Sequence, residues 1–234
     1  MNTNGYSYLF HSIFNRRKAL AGAIAGVLAP ALPAWAQRSN AAAPALALAQ
    51  EFRPSQWRPG HWVSEKYDGL RGHWDGSTLR TRGGEVIAAP AWFTAGWPAT
   101  PLDGELWAGR GAFTQALSTV RSQNAGDAAW RQIRFMVFDL PAHSGIFDER
   151  LAALPGVLEP LQQPWVQAVP HWRVDSETQL HAQLRQLENE VAEGLMLRRG
   201  DAPYRGGRSE DLLKLKSFDD AEGLVVGHVP GRGK

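Results

Sequence analysis

The sequence predicts an α+β domain of antiparallel sheets flanked by helices, and three observations carry that reading. Short strand signals separated by turn residues run from Trp62 to Arg80 as a meander, with no helix between them of the kind a βαβ unit needs. Arg134–Leu140 is an apolar run closed by Pro141, the pattern of a buried strand. Glu177–Ala192 places Leu180, Leu184, Leu187 and Val191 at steps of four, three and four, one helical stripe.

The elements follow in order. Residues 1–36 stand apart from the fold. The basic Arg16-Arg17-Lys18, the apolar Ala19–Leu32 and the small-residue site Ala34-Trp35-Ala36 follow one another as in a secretory signal peptide. The apolar run falls short of the roughly 20 residues that a spanning helix needs, and no later stretch is longer. The expectation is a periplasmic, membrane-free mature chain cut after Ala36, with Sec and twin-arginine export both open. A buried N-terminal helix is the alternative. Residues 37–50 are Ala-rich and read as a linker or a loosely packed first helix. The main domain is expected over residues 51–220. Trp62–Glu65 and Leu70–Trp74 read as strands around the turn Tyr67-Asp68-Gly69, and Thr78–Arg80 returns after Asp75-Gly76. Ala112–Ser122 reads as a helix, and Phe147–Leu154 as a short one stopped by Pro155-Gly156. Ser176 can cap the Glu177 helix, with Gln179 as its capping-box partner. Gly194–Arg198 and Leu212–Lys216 read as strands.

Charge and composition exclude some functions. The chain has 25 basic and 23 acidic residues and no cysteine. Residues 1–36 hold three basic and no acidic residues, so the remainder is near −1. Binding of a polyanion must therefore come from local clusters rather than from bulk charge. Disulfides and thiolate metal sites are excluded, and the seven histidines show no metal-ligand spacing.

Five short blocks carry chemistry: Lys66-Tyr67-Asp68-Gly69, Asp103-Gly104-Glu105-Leu106, Phe135–Asp139, Glu193-Gly194-Leu195-Met196 and Leu213–Lys216. Alone, each has a plain structural explanation. Lys66 could be a solvated turn lysine, Glu105 and Glu193 strand ends, Phe138 core, and Lys214 and Lys216 one face of an exposed edge strand. In this order they resemble the motifs of covalent nucleotidyltransferases, the superfamily of ATP-dependent DNA ligases, RNA ligases and capping enzymes. The flanking Ser64-Glu65-Lys66, Gly69-Leu70-Arg71, Glu193–Arg198 and Asp211–Lys216 are closer to DNA ligases. With the export signal, the chain is similar to the small periplasmic ligases of Gram-negative bacteria, over roughly residues 62–234.

The resemblance implies a nucleotidyltransferase (adenylation) domain that uses ATP with Mg2+ or Mn2+. Its partner would be nicked double-stranded DNA and its state a monomer, in DNA repair, recombination or replication. Lys66 would be the nucleophile that carries AMP. An unperturbed lysine is neutral in only about one molecule in a thousand near pH 7.4. Nearby positive charge from Lys214, Lys216 and a metal would favour the neutral amine. The same lysines would stabilise charge on the α-phosphate. Glu193 is the expected metal ligand, and Glu105 meets a metal or the ribose. Arg71 would meet the ribose or nick phosphate, Phe138 would stack on adenine, and Glu65 would read the adenine edge. Asp68 would position Lys66 or a metal-bound water. Arg82, in Thr81-Arg82-Gly83, matches a motif that holds the DNA 5′-phosphate, a hairpin arginine in solvent being the alternative. Apart from the resemblance, the local density of positive charge at Arg198, Arg205 and Arg208 suggests that they extend a basic DNA-binding track.

In the family an OB-fold barrel follows, and residues 221–234 resemble only its first strand and turn. Such a barrel needs about five strands. The expectation is a chain that seals nicks poorly or not at all. An RNA ligase or other covalent nucleotidyltransferase, and a non-catalytic nucleotide- or DNA-binding remnant, are the competing readings.

Overall fold

The computed structural model describes residues 43–216. The expected signal peptide and the expected first OB-fold strand lie outside the described residues.

In chain order the elements are β1 (Ala47–Glu51), β2 (Trp62–Glu65), β3 (Leu70–Trp74), β4 (Leu79–Thr81) and α1 (Ala91–Thr94), then β5 (Leu102–Trp107), α2 (Phe113–Arg121), α3 (Asp127–Trp130), β6 (Arg134–Asp139) and α4 (Phe147–Leu158). β7 (Val166–Ala168), β8 (Trp172–Arg173), α5 (Glu177–Asn189), β9 (Leu195–Arg198) and β10 (Gly207–Leu215) complete them. They form two five-stranded sheets, ordered β1-β10-β9-β2-β8 and β4-β3-β5-β6-β7. The α+β class is as expected, and most pairings are antiparallel. Two edge pairings, β1 with β10 and β6 with β7, are parallel, so both sheets are mixed.

Each sheet buries one face under helices, and strand alternation decides which residues go there. In the first sheet Val63, Leu195, Leu197, Leu213 and Leu215 pack on Leu180 and Leu184 of α5. In the second, Trp74, Leu102, Leu106, Phe135 and Val137 pack with Phe93, Trp97, Trp130 and Leu154 from the helical side. Three of the ten tryptophans are fully committed here, with Trp97 stacked on Phe135 at 5.0 Å. The side chains of the opposite parity are left to face a cavity.

The meander turns are built as their residues suggest. Asp75 Oδ1 accepts from the backbone N–H groups of Ser77 and Thr78 at 2.9 and 2.8 Å, closing the turn into β4. Ser176 caps α5 by accepting from Gln179 N at 3.2 Å. The reciprocal bond differs from the expected box: Gln179 Oε1 accepts from Asp175 N, one residue earlier.

Four boundaries differ from the sequence reading. Part of the expected linker, Ala47–Gln50, belongs to β1, whose hydrogen bonds are satisfied by the distant β10. α5 ends at Asn189, and Val191 sits exposed at φ 63°, so the apolar stripe stops at Leu187. α4 runs through Pro155 to Leu158 instead of stopping before it. Leu154 and Leu158 are both buried, and their packing outweighs the one backbone bond a proline forfeits in a last turn. β10 starts at Gly207, five residues before the expected strand, because β1 supplies it with a second partner.

Candidate active site

The non-core faces of the two sheets line a cavity of about 1030 Å³. Ser64, Met196, Arg198 and Lys214 come from one sheet, and Arg71, Glu105 and Phe138 from the other. Glu65, Lys66 and Arg82 also line it.

Two glycines fix its charged end. A side chain on Gly69 would put its Cβ 2.3 Å from the Leu106 carbonyl oxygen, so the turn after Lys66 lies flat on β5 only with glycine. Gly194 has φ +153°, and a Cβ there would stand 2.3 Å from the Leu215 carbonyl oxygen. Lys66 N donates to the Gly194 carbonyl at 2.9 Å, which ties the end of β2 to the start of β9. Lys66 and Glu193 are thereby brought side by side from 127 residues apart, and their side chains form an ion pair. Lys216 Nζ lies 2.7 Å from the other Glu193 oxygen. One carboxylate thus holds two lysines. Lys214 lines the same cavity and pairs with Glu51 at 2.5 Å.

The remaining acids add to this end. Burial raises the Asp68 pKa, and the Glu193 charge raises it further. Glu105 faces Arg71 across the β3–β5 ladder. Burial pushes its pKa up to about 8, against the lowering effect of Arg71 and Lys66. The folded state therefore binds a proton that the unfolded chain releases above about pH 4.5. Through this group, stability falls as pH rises from about 4.5 to about 8 and then levels. Glu105→Gln removes that loss. Its melting temperature should match wild type near pH 4.5 and exceed it by about 5 °C at pH 8. Parallel melting curves across that range would check it, and a constant offset would contradict it.

Three expected site residues are held by partners within the protein. Arg198 is buried, not part of an exposed track. It pairs with Asp139 and its guanidinium lies 4.7 Å above the Phe147 ring. Asp139 is fully buried and also takes Arg150 Nε at 2.6 Å, so it needs both cations. Arg71 is clamped by Asp103 through bonds of 2.6 and 2.7 Å and lies 4.7 Å from the Phe138 ring centre. Tyr204 donates to the same Asp103 at 2.7 Å. Glu65 ends β2 at the cavity wall, and both its oxygens accept from Arg110, at 2.9 and 2.8 Å. Arg82 is exposed at the cavity mouth. Arg208 also lines the cavity and donates to the Ala49 carbonyl at 2.7 Å.

Sequence reasoning quoted Ser64 and Met196 within motifs but gave them no role, and it passed over Arg110 and His171. Period-two counting back from Lys66 would have found Ser64, which shares its face of the strand. Arg110 lies in a loop with no pattern around it.

Comparison with known proteins decides the family. The family described as the ATP dependent DNA ligase domain matches residues 47–216, most of the chain. The chain belongs to that family. The DNA ligase of Haemophilus influenzae is 37% identical over 174 residues, which are 74% of this chain. The match spans 64% of the length of that relative. A solved structure from a study of DNA binding with a minimal scaffold by Lig E DNA ligases is 42% identical, with a TM-score of 0.71. It covers 80% of this chain and 74% of its own. The Chlorella virus DNA ligase-adenylate shares the fold at a TM-score of 0.62 and 22% identity, over 75% of this chain and 69% of its own. For this ligase-family chain, β1 opens the matched region and β10 carries it to its end.

Proposed function

We propose that this chain joins DNA at nicks at the expense of ATP, through AMP carried on Lys66. The observation that carries the proposal is the grouping of Lys66, Glu193 and Lys216 at one end of a cavity whose walls offer Phe138 and Met196 to a base.

In the first step the Lys66 Nζ lone pair attacks the α-phosphorus. An N–P bond forms, the bond to the β-phosphate oxygen breaks, pyrophosphate leaves and the nitrogen sheds a proton. The 5′-phosphate of the nick then attacks the same phosphorus and releases the lysine. Finally the 3′-hydroxyl oxygen attacks the 5′-phosphorus, and AMP leaves with the electron pair. Lys216, which shares Glu193 with Lys66, and Lys214, which lines the cavity, are the cations we assign to neutralise charge growing on the phosphoryl oxygens. Arg82, exposed at the mouth, is suited to the DNA 5′-phosphate.

A divalent cation fits the acids. Burial raises the proton affinity of Asp68 and of Glu105, and the nearby Glu193 charge adds to it in both, so the three carboxylates stand close together. Among the described residues no three such donors form a ready cage. Magnesium needs only one or two carboxylates and completes its shell with phosphate oxygens and water. When bound, it would supply charge neutralisation to the triphosphate. Glu193 and Glu105 are the residues that would hold it.

Export to the periplasm and action as a monomer belong to the same proposal. The order of charge, apolar run and Ala34-Trp35-Ala36 supports the first. The test of function is a chase. Protein loaded from labelled ATP with magnesium is mixed with nicked duplex DNA or nicked RNA. Label should leave the protein for the DNA 5′-phosphate, and sealed strand should follow. Transfer to RNA in preference would favour an RNA ligase, and protein-bound label that no nick removes would contradict the proposal.

A further inference from the structure

We infer that His171 reads the base in this cavity by accepting a hydrogen bond at Nε2, and so selects adenine over guanine. The inference rests on a nucleotide occupying the cavity as proposed above.

The cavity has a phosphate end and a far end. Counting along β2 away from Lys66, the cavity-facing positions are Ser64 and then Trp62, opposite Met196 and Arg198 of β9. Four residues of strand span about 13 Å, which leaves room for a ribose and a base beyond the lysines. His171 lies at this far end. It follows Val169, whose N–H donates to the Val137 carbonyl beside Phe138, and precedes Trp172, which pairs with Val63 of β2. It is therefore placed where the chain crosses from one sheet to the other, and it lines the cavity with Phe138 and Met196.

The ring is oriented by two contacts. It meets Phe147 edge-on at 5.4 Å, and its Nδ1 lies 2.8 Å from the Val169 carbonyl oxygen. A carbonyl only accepts, so Nδ1 carries the hydrogen and Nε2 keeps its lone pair. Burial, aided by the charge on Arg198, pushes the pKa down to about 4, so the ring stays neutral at neutral pH. A neutral ring in this tautomer offers an acceptor. Adenine presents an amino group at its 6-position, a donor. Guanine presents a carbonyl there, which would face the Nε2 lone pair with no proton between them.

The test compares Lys66 labelling from ATP, from GTP and from purine riboside triphosphate, which lacks the 6-amino group. Wild type should prefer ATP to the purine analogue by about tenfold in kcat/KM, the effect of one hydrogen bond. His171→Phe keeps a ring against Phe147 without the acceptor and should reduce that preference to within about twofold. His171→Gln, which offers an amide oxygen, should restore part of it. Nitrogen NMR of histidine-labelled wild type needs no variant. The Nε2 resonance should move on addition of AMP and not of purine riboside monophosphate. If wild type is labelled by ATP but lacks the preference, or His171→Phe keeps it, or the Nε2 resonance ignores AMP, base reading by His171 is wrong while the lysine chemistry stands. If no triphosphate labels wild type, the functional reading fails first and takes this inference with it.

Discussion

Asp139→Ala should destabilise the domain by about 3–5 kcal/mol, the usual effect of stripping a buried ion pair of one partner. Asp139 is fully buried and accepts from Arg150 Nε at 2.6 Å, from Arg198 and from the Leu140 N–H at 2.8 Å. Arg150 is 1% exposed and also donates to the carbonyls of Gly145 and Ala202, at 2.9 and 3.0 Å. The carboxylate therefore joins β6, α4 and β9, one element from each sheet and the helix between them. Its loss leaves two guanidinium groups in the interior, Arg150 with carbonyl acceptors alone and Arg198 without its carboxylate partner. Since whole domains are stable by only about 5–15 kcal/mol, the variant should be partly unfolded at 37 °C. Urea unfolding of variant and wild type would measure the difference. A loss below about 1 kcal/mol would mean that the arginines find other partners or water, and the triad would then not be what links the sheets.

Glu193→Gln should slow transfer of AMP to Lys66 by about 100-fold or more while leaving the fold in place, the scale seen when one preorganised polar group is removed from a reacting centre. Glu193 is the carboxylate on which Lys66 and Lys216 converge. An amide has one oxygen to accept and turns a donor toward the second ammonium. One lysine would then be displaced from a position set by Gly194 and by the Lys66–Gly194 backbone bond. The side chains of both Lys66 and Glu193 are about one-fifth exposed, so the cost to stability should be small. Single-turnover labelling, with a melting curve alongside, separates the two effects. A rate within threefold of wild type would remove Glu193 from the chemistry.

Much of this site was legible in the sequence because short-range rules govern it. Lys-x-Asp-Gly and Glu-Gly announce a lysine and a glutamate held at strand ends by glycines, and both glycines prove sterically required. Period two put Lys214 and Lys216 on one face. The α5 stripe and its Ser176 cap are local as well. What was not legible depends on distant partners. β1 is a strand because β10 lies beside it, and nothing in its Ala-rich text says so. Helix α4 crosses Pro155 because the core rewards Leu158. Arg198 looked like surface charge in a run of arginines, but a buried aspartate 59 residues away holds it inside. Glu65 stands next to Lys66 in sequence and at the cavity wall, and there Arg110, 45 residues away, takes both its oxygens. Nothing in the text around Arg110 announces that ion pair.

The most direct measurement is covalent labelling. Wild type incubated with ATP labelled at the α-phosphate and magnesium, then denatured and resolved by electrophoresis, should carry acid-labile label that maps to Lys66. Lys66→Ala should carry none. Equal label on that variant, or label mapped to another residue, would contradict the account.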